Sequence, residues 1–86
     1  MIEGRIKHLD HANRSAVIVE DNGNEIKVKF ASRTVVEVIK DGTLMGGELE
    51  DLKEGHEVEI EVSSSNDDES IICDSIVPAF NLLINL

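Results

Sequence analysis

Two hexapeptides set the period of this chain. In Glu57-Val58-Glu59-Ile60-Glu61-Val62 acids alternate with β-branched residues, and in Glu25-Ile26-Lys27-Val28-Lys29-Phe30 the alternation recurs with lysine on the polar side. A period of two sends successive side chains to opposite faces of a strand, whereas a helix would scatter these apolar positions around its circumference. Both stretches therefore read as half-buried strands, with Val58, Ile60 and Val62, and Ile26, Val28 and Phe30, turned inward. Weaker β patterning predicts further strands over residues 4–9 (Ile6 inward), 16–20, 34–39 and 70–77.

Turn chemistry divides these strands. Asp21-Asn22-Gly23-Asn24 joins the second strand to residues 25–31, and Asn-Gly is a hairpin signal because both residues tolerate positive φ. Asp41-Gly42 ends the strand over 34–39, residues 49–55 read as one helical turn closed by Gly55, and residues 63–69 form a polar connection. Five or six short strands and one helical turn predict an all-β fold: a single domain over residues 1–86, built as a small Greek-key barrel, OB-like or SH3/Sm-like, whose closure leaves few strand edges.

The C-terminal segment, residues 76–86, is the apolar exception. An extended chain from Pro78 would place Phe80, Leu82, Ile84 and Leu86 on one face and Asn81 and Asn85 on the other. A short helix would also align the two asparagines; the strand is favoured because so short a helix without an N-cap is weak. Either conformation needs a cover. Closing the domain's own barrel, or lying against a neighbouring subunit, would supply one. Phe80, Leu82, Leu83, Ile84 and Leu86 are accordingly the candidate oligomer contacts, and a homo-oligomer is expected.

Charge changes the picture more than composition does. The formal net charge is −10, yet it is uneven: residues 1–47 are balanced, while residues 48–69 hold ten acids against Lys53 alone. One flank should be strongly negative and repel phosphate backbones. The other cations, Arg5, Lys7, Arg14, Lys27, Lys29, Arg33 and Lys40, all fall in the first half, so a basic stripe for single-stranded RNA or DNA is the alternative reading. The overall charge disfavours it, as does an aromatic inventory of Phe30 and Phe80, because single-strand binders stack bases on exposed rings. The longest apolar-rich run, Ile76 to Leu86, spans eleven residues, against about 20 for a membrane helix, so no membrane partner is expected. Lone Cys73, set among apolar residues, reads as a small buried hydrophobe in a reducing compartment, and the protein as cytoplasmic.

Catalytic and metal patterns are weak. His8-Leu9-Asp10-His11 offers three donors, but on a strand only His8 and Asp10 share a face, and zinc needs three or four converging ligands. The acidic run Asn66-Asp67-Asp68-Glu69 lacks the ligand spacing of a calcium loop, and a hairpin turn already explains each residue of 21–25. There is no Gly-x-Ser-x-Gly elbow, and Gly46-Gly47 is not followed by the Lys-Ser/Thr of a phosphate loop. No catalytic residue, metal or cofactor is implied, and the protein reads as a non-enzyme.

Two resemblances accompany this reading. The runs Gly4-Arg5-Ile6-Lys7-His8-Leu9-Asp10, Asn22-Gly23, Thr34-Val35-Val36 and Leu49-Glu50-Asp51-Leu52-Lys53-Glu54-Gly55-His56-Glu57-Val58-Glu59-Ile60 resemble small bacterial OB-like domains of unknown function, with His56 where that pattern has Asp. This resemblance implies a fold and no chemistry. Gly4-x-Ile6-x-x-Leu9-Asp10 with Asn13 also resembles the first motif of the Sm-like RNA-binding rings. Their asparagine position is Arg14 here, and the Arg-Gly of their second motif is missing after Ser70. The expectation is a non-enzymatic β-barrel module for binding or assembly, with a protein partner; the alternative is an OB- or Sm-like nucleic-acid binder.

Overall fold

The structure, a computed structural model, describes residues 1–64 and 70–79. Its elements in chain order are β1 (Ile2–Asp10), β2 (Ser15–Val19), β3 (Glu25–Lys40), β4 (Thr43–Gly46), a 3₁₀ turn (Leu49–Asp51), β5 (Glu57–Ser64) and β6 (Ile71–Pro78). No α-helix occurs among the described residues.

Antiparallel ladders join β1 to β2, β2 to β3, β5 to β6 and β1 to β5, and a parallel ladder joins β3 to β6. The circuit β1-β2-β3-β6-β5 therefore closes into a five-stranded barrel, and β4 is an extra strand held by β3 outside it. Parallel strands need a long crossover, and here it runs through β4, the 3₁₀ turn and β5. This is an all-β barrel of the OB-like or SH3-like kind.

The alternating residues fill it. Ile6, Ala16, Ile18, Val28, Phe30, Val58, Ile60, Cys73 and Ile76 point inward and are buried. Leu49 and Leu52, on the 3₁₀ turn and just after it, complete the core. Complete burial of one such aliphatic side chain contributes about 1.5–3 kcal/mol.

The structure differs from the sequence expectation in three places. Residues 25–31 and 34–39 are one sixteen-residue strand, not two. Its ladder with β6 jumps from Phe30↔Cys73 to Val35↔Ser75, and the Thr34 hydroxyl holds the bend, accepting from the Ala31 N–H (2.8 Å) and donating to the Cys73 carbonyl (2.6 Å). An irregularity of this kind lets one strand turn a barrel corner. Secondly, Asp41-Gly42 does not merely end a strand. With φ +52° and +76° between the paired Lys40 and Thr43, it makes the two-residue turn of a hairpin and brings back β4. Thirdly, the helical turn shrinks to Leu49–Asp51, because Gly55 (φ +93°) belongs to a separate turn whose N–H donates to the Ile6 carbonyl at 2.7 Å.

Candidate binding surfaces

Residues turned away from the barrel form the surfaces open to partners. Strand pairing sets them in rows across β1, β2 and β3: Arg5–Val19–Glu25, His8–Val17–Lys27 and Asp10–Ser15–Lys29. Lys7 occupies the irregularity of β1 between Ile6 and His8 and bonds Glu25 at 2.6 Å. Four of the seven sequence-predicted cations, Arg5, Lys7, Lys27 and Lys29, thus share one outer face, around half-buried Val17 and Val19.

The remaining three are placed elsewhere. Arg14 adopts φ +51° at the β1–β2 turn, and its guanidinium donates to the carbonyls of Phe30 (3.3 Å) and Ala31 (3.2 Å), so it braces β3. Arg33 lies 3.5 Å from Asp74, and Lys40 lies 4.0 Å from Asp51. Phe30, the one aromatic among the described residues, is buried in the core.

The histidine-rich stretch does not converge. His8 Nδ1 sits 3.3 Å from Glu54 Oε2, which also accepts from the Leu9 N–H at 3.0 Å. Asp10 instead accepts from the backbone N–H (3.1 Å) and side-chain amide (2.7 Å) of Asn13, bonds that hold its carboxyl below the usual carboxylate range. Among the described residues no three His, Cys, Asp or Glu side chains gather as a metal site. Burial, with the neighbouring Asp74 charge, pushes the Cys73 thiol up to about 12. Glu57 and Glu59 are half-buried, while Glu61 is exposed.

Two further surfaces carry apolar groups that the sequence reading did not single out. Leu44 and Met45 on β4 are 42% and 43% exposed, and Val35 on β3 is 53% exposed. The legible signal for them was Asp41-Gly42, whose hairpin chemistry implies a returning strand. Secondly, Val38, Ile39, Leu52, Val58 and Pro78 line a groove of about 270 Å³, with Lys40, Asp51 and His56 beside them. No periodicity argument finds this groove, because it joins β3, β5, β6 and the residues after the 3₁₀ turn. The oligomer candidates Phe80, Leu82, Leu83, Ile84 and Leu86, and the acidic residues 66–69, lie outside the described residues. Among the described residues no helix is long and apolar enough to cross a membrane.

No family model matches the chain, and no curated protein matches it. The geometry of these surfaces is therefore the ground for any functional reading.

Proposed function

We propose that this chain is a non-enzymatic assembly module, a small barrel that pairs with a second copy of itself. The observation that carries the reading is the uncharged outer edge of β4. The five barrel strands are paired on both sides, whereas β4 pairs with β3 alone among the described residues. Sheet edges are usually blunted by charges, proline or bulges, and Thr43-Leu44-Met45-Gly46 has none of these. Laid antiparallel against its twofold mate, β4 would satisfy its outward N–H and C=O groups and cover Leu44 and Met45. The five-stranded Greek-key closure supports an OB-like rather than a Sm-like version of the barrel, and the aliphatic filling of its interior supports a role for the surface.

Light scattering after size exclusion tests this reading. The intact chain is expected to elute as a dimer, and the Leu44→Lys/Met45→Glu variant as a monomer with unchanged far-ultraviolet circular dichroism. A monomeric intact chain at high micromolar concentration would sink it.

A second reading has its own observation: Arg5, Lys7, Lys27 and Lys29 share the outer face of β1–β3. Such a face would follow a phosphate backbone, with Val17 and Val19 beneath the bases. Fluorescence anisotropy with labelled single-stranded RNA and DNA at low salt decides it; binding should weaken in Lys27→Glu, and no binding eliminates the reading.

A further inference from the structure

We propose that two copies of this chain meet in a single register, with Met45 on the twofold axis and Leu44 of each copy paired with Gly46 of the other. This register rests on the self-association through β4 proposed above, and it fixes what that contact is made of.

Ladder phase decides which backbone groups face a second copy. The hairpin pairs Lys40↔Thr43 and Val38↔Met45, and one step further on the Gly47 N–H donates to the Val36 carbonyl at 2.9 Å. In an antiparallel ladder hydrogen-bonded pairs alternate with non-bonded ones. Thr43, Met45 and Gly47 therefore bond β3, while the N–H and C=O groups of Leu44 and Gly46 point to the outer edge. An axis falling between two residues would set those outward groups against groups already bonded to β3.

The two ends of β4 then limit where the axis can pass. Gly42, before the strand, has φ +76° and belongs to the turn, so its backbone is not extended for a ladder. Glu48, after it, has both backbone groups engaged: its N–H donates to Asp51 Oδ2 (2.8 Å) and its carbonyl accepts from the Asp51 N–H (2.9 Å). An axis at Leu44 would set Gly46 against the partner's Gly42, and an axis at Gly46 would set Leu44 against the partner's Glu48. With the axis at Met45, Leu44 meets the partner's Gly46 and Gly46 meets the partner's Leu44, each pair exchanging two hydrogen bonds.

Side chains fit the same register. Met45 shares a face with Val38, its mate across the hairpin, so the row through the axis runs Val38, Met45, the partner's Met45, the partner's Val38. That row is apolar throughout and covers a methionine that is 43% exposed in one copy. On the other face Leu44 crosses the partner's Gly46, where even an added Cβ would meet nothing within 4 Å. Gly46 thus leaves room for the leucine of the second copy.

Disulfide trapping in the full chain reads the register. A non-bonded Met45 pair brings its Cα atoms to about 4.5 Å, within disulfide range, whereas the two Leu44 Cα atoms would stand roughly 8–9 Å apart, beyond it. Met45→Cys and Leu44→Cys chains are oxidised with copper phenanthroline at high micromolar concentration and neutral pH; buried Cys73, its thiol at about 12, stays out of the reaction. Met45→Cys should form the cross-linked dimer at least about tenfold faster than Leu44→Cys on non-reducing gels. Equal rates, or a faster Leu44→Cys, overturn the register. Light scattering of the reduced variants separates this proposal from the reading beneath it. Reduced dimers that do not cross-link through position 45 refute the register and keep the self-association, whereas reduced monomers refute both.

Discussion

Gly4 shows how one missing side chain closes the barrel. A Cβ there would sit 2.5 Å from the Val19 carbonyl oxygen and 2.8 Å from Ile18 Cγ2, so β1 and β2 approach as they do only because the position is glycine. Gly4→Ala should destabilise the fold by roughly 1–3 kcal/mol, measured as a lower urea midpoint at unchanged m. Asp10 works through charge. Its folded pKa is depressed by Asn13, so its contribution is present above the unfolded value of 3.8 and lost as pH falls through the folded one. Asn13→Ala, which removes the side-chain bond, should shrink the acid-side loss of stability. Cys73 has the opposite sign. Its thiol is raised from 9.0 to about 12, so the stabilisation is complete below pH 9 and disappears as pH rises towards 12. In the native protein at pH 8, a thiol reagent should therefore react with Cys73 only at the rate of unfolding.

At the scale of elements, the legible parts were those whose faces differ. β5 and the first half of β3 alternate strongly because one side is wet and the other buried, and the structure puts Val58, Ile60, Val28 and Phe30 in the core. The continuity of β3 was hidden because residues 31–34 pair with neither neighbour in the regular register; there the Thr34 hydroxyl replaces ladder bonds. Thr34→Val keeps the shape and leaves the Ala31 N–H and Cys73 carbonyl without that partner, so it should cost about 1–3 kcal/mol. β4 escaped notice for another reason. Its four exposed residues carry no alternation, and only the Asp-Gly turn before them marks a hairpin. The cationic stripe was half legible: strand phase brings Arg5, Lys27 and Lys29 to one face, but nothing local reveals that Arg14 turns back to bond β3 carbonyls. Turn and bulge geometry, rather than periodicity, decides such positions.

For the whole molecule, charge separates the two functional readings by the sign of one slope. Two copies each at −10 repel as they meet, although the β4 contact itself carries no charge. Salt screens that repulsion over a Debye length of about 10 Å at 0.1 M, while the apolar contact is little affected. Self-association should therefore tighten as sodium chloride rises from low to moderate concentration, read as a falling dimer Kd in sedimentation equilibrium. A complex of the Arg5, Lys7, Lys27 and Lys29 face with a phosphate backbone would behave oppositely, because each neutralised phosphate releases counterions and log K falls with log salt. Lys7 is already paired with Glu25, so fewer than four full contacts are available, and that slope should be shallow. The dimer slope depends on the net charge, which Lys27→Glu takes from −10 to −12. Lys27→Glu should consequently weaken any nucleic-acid binding and leave an association that still strengthens with salt; an association that weakened with salt would place ion pairs, and not the β4 edge, at the contact between copies.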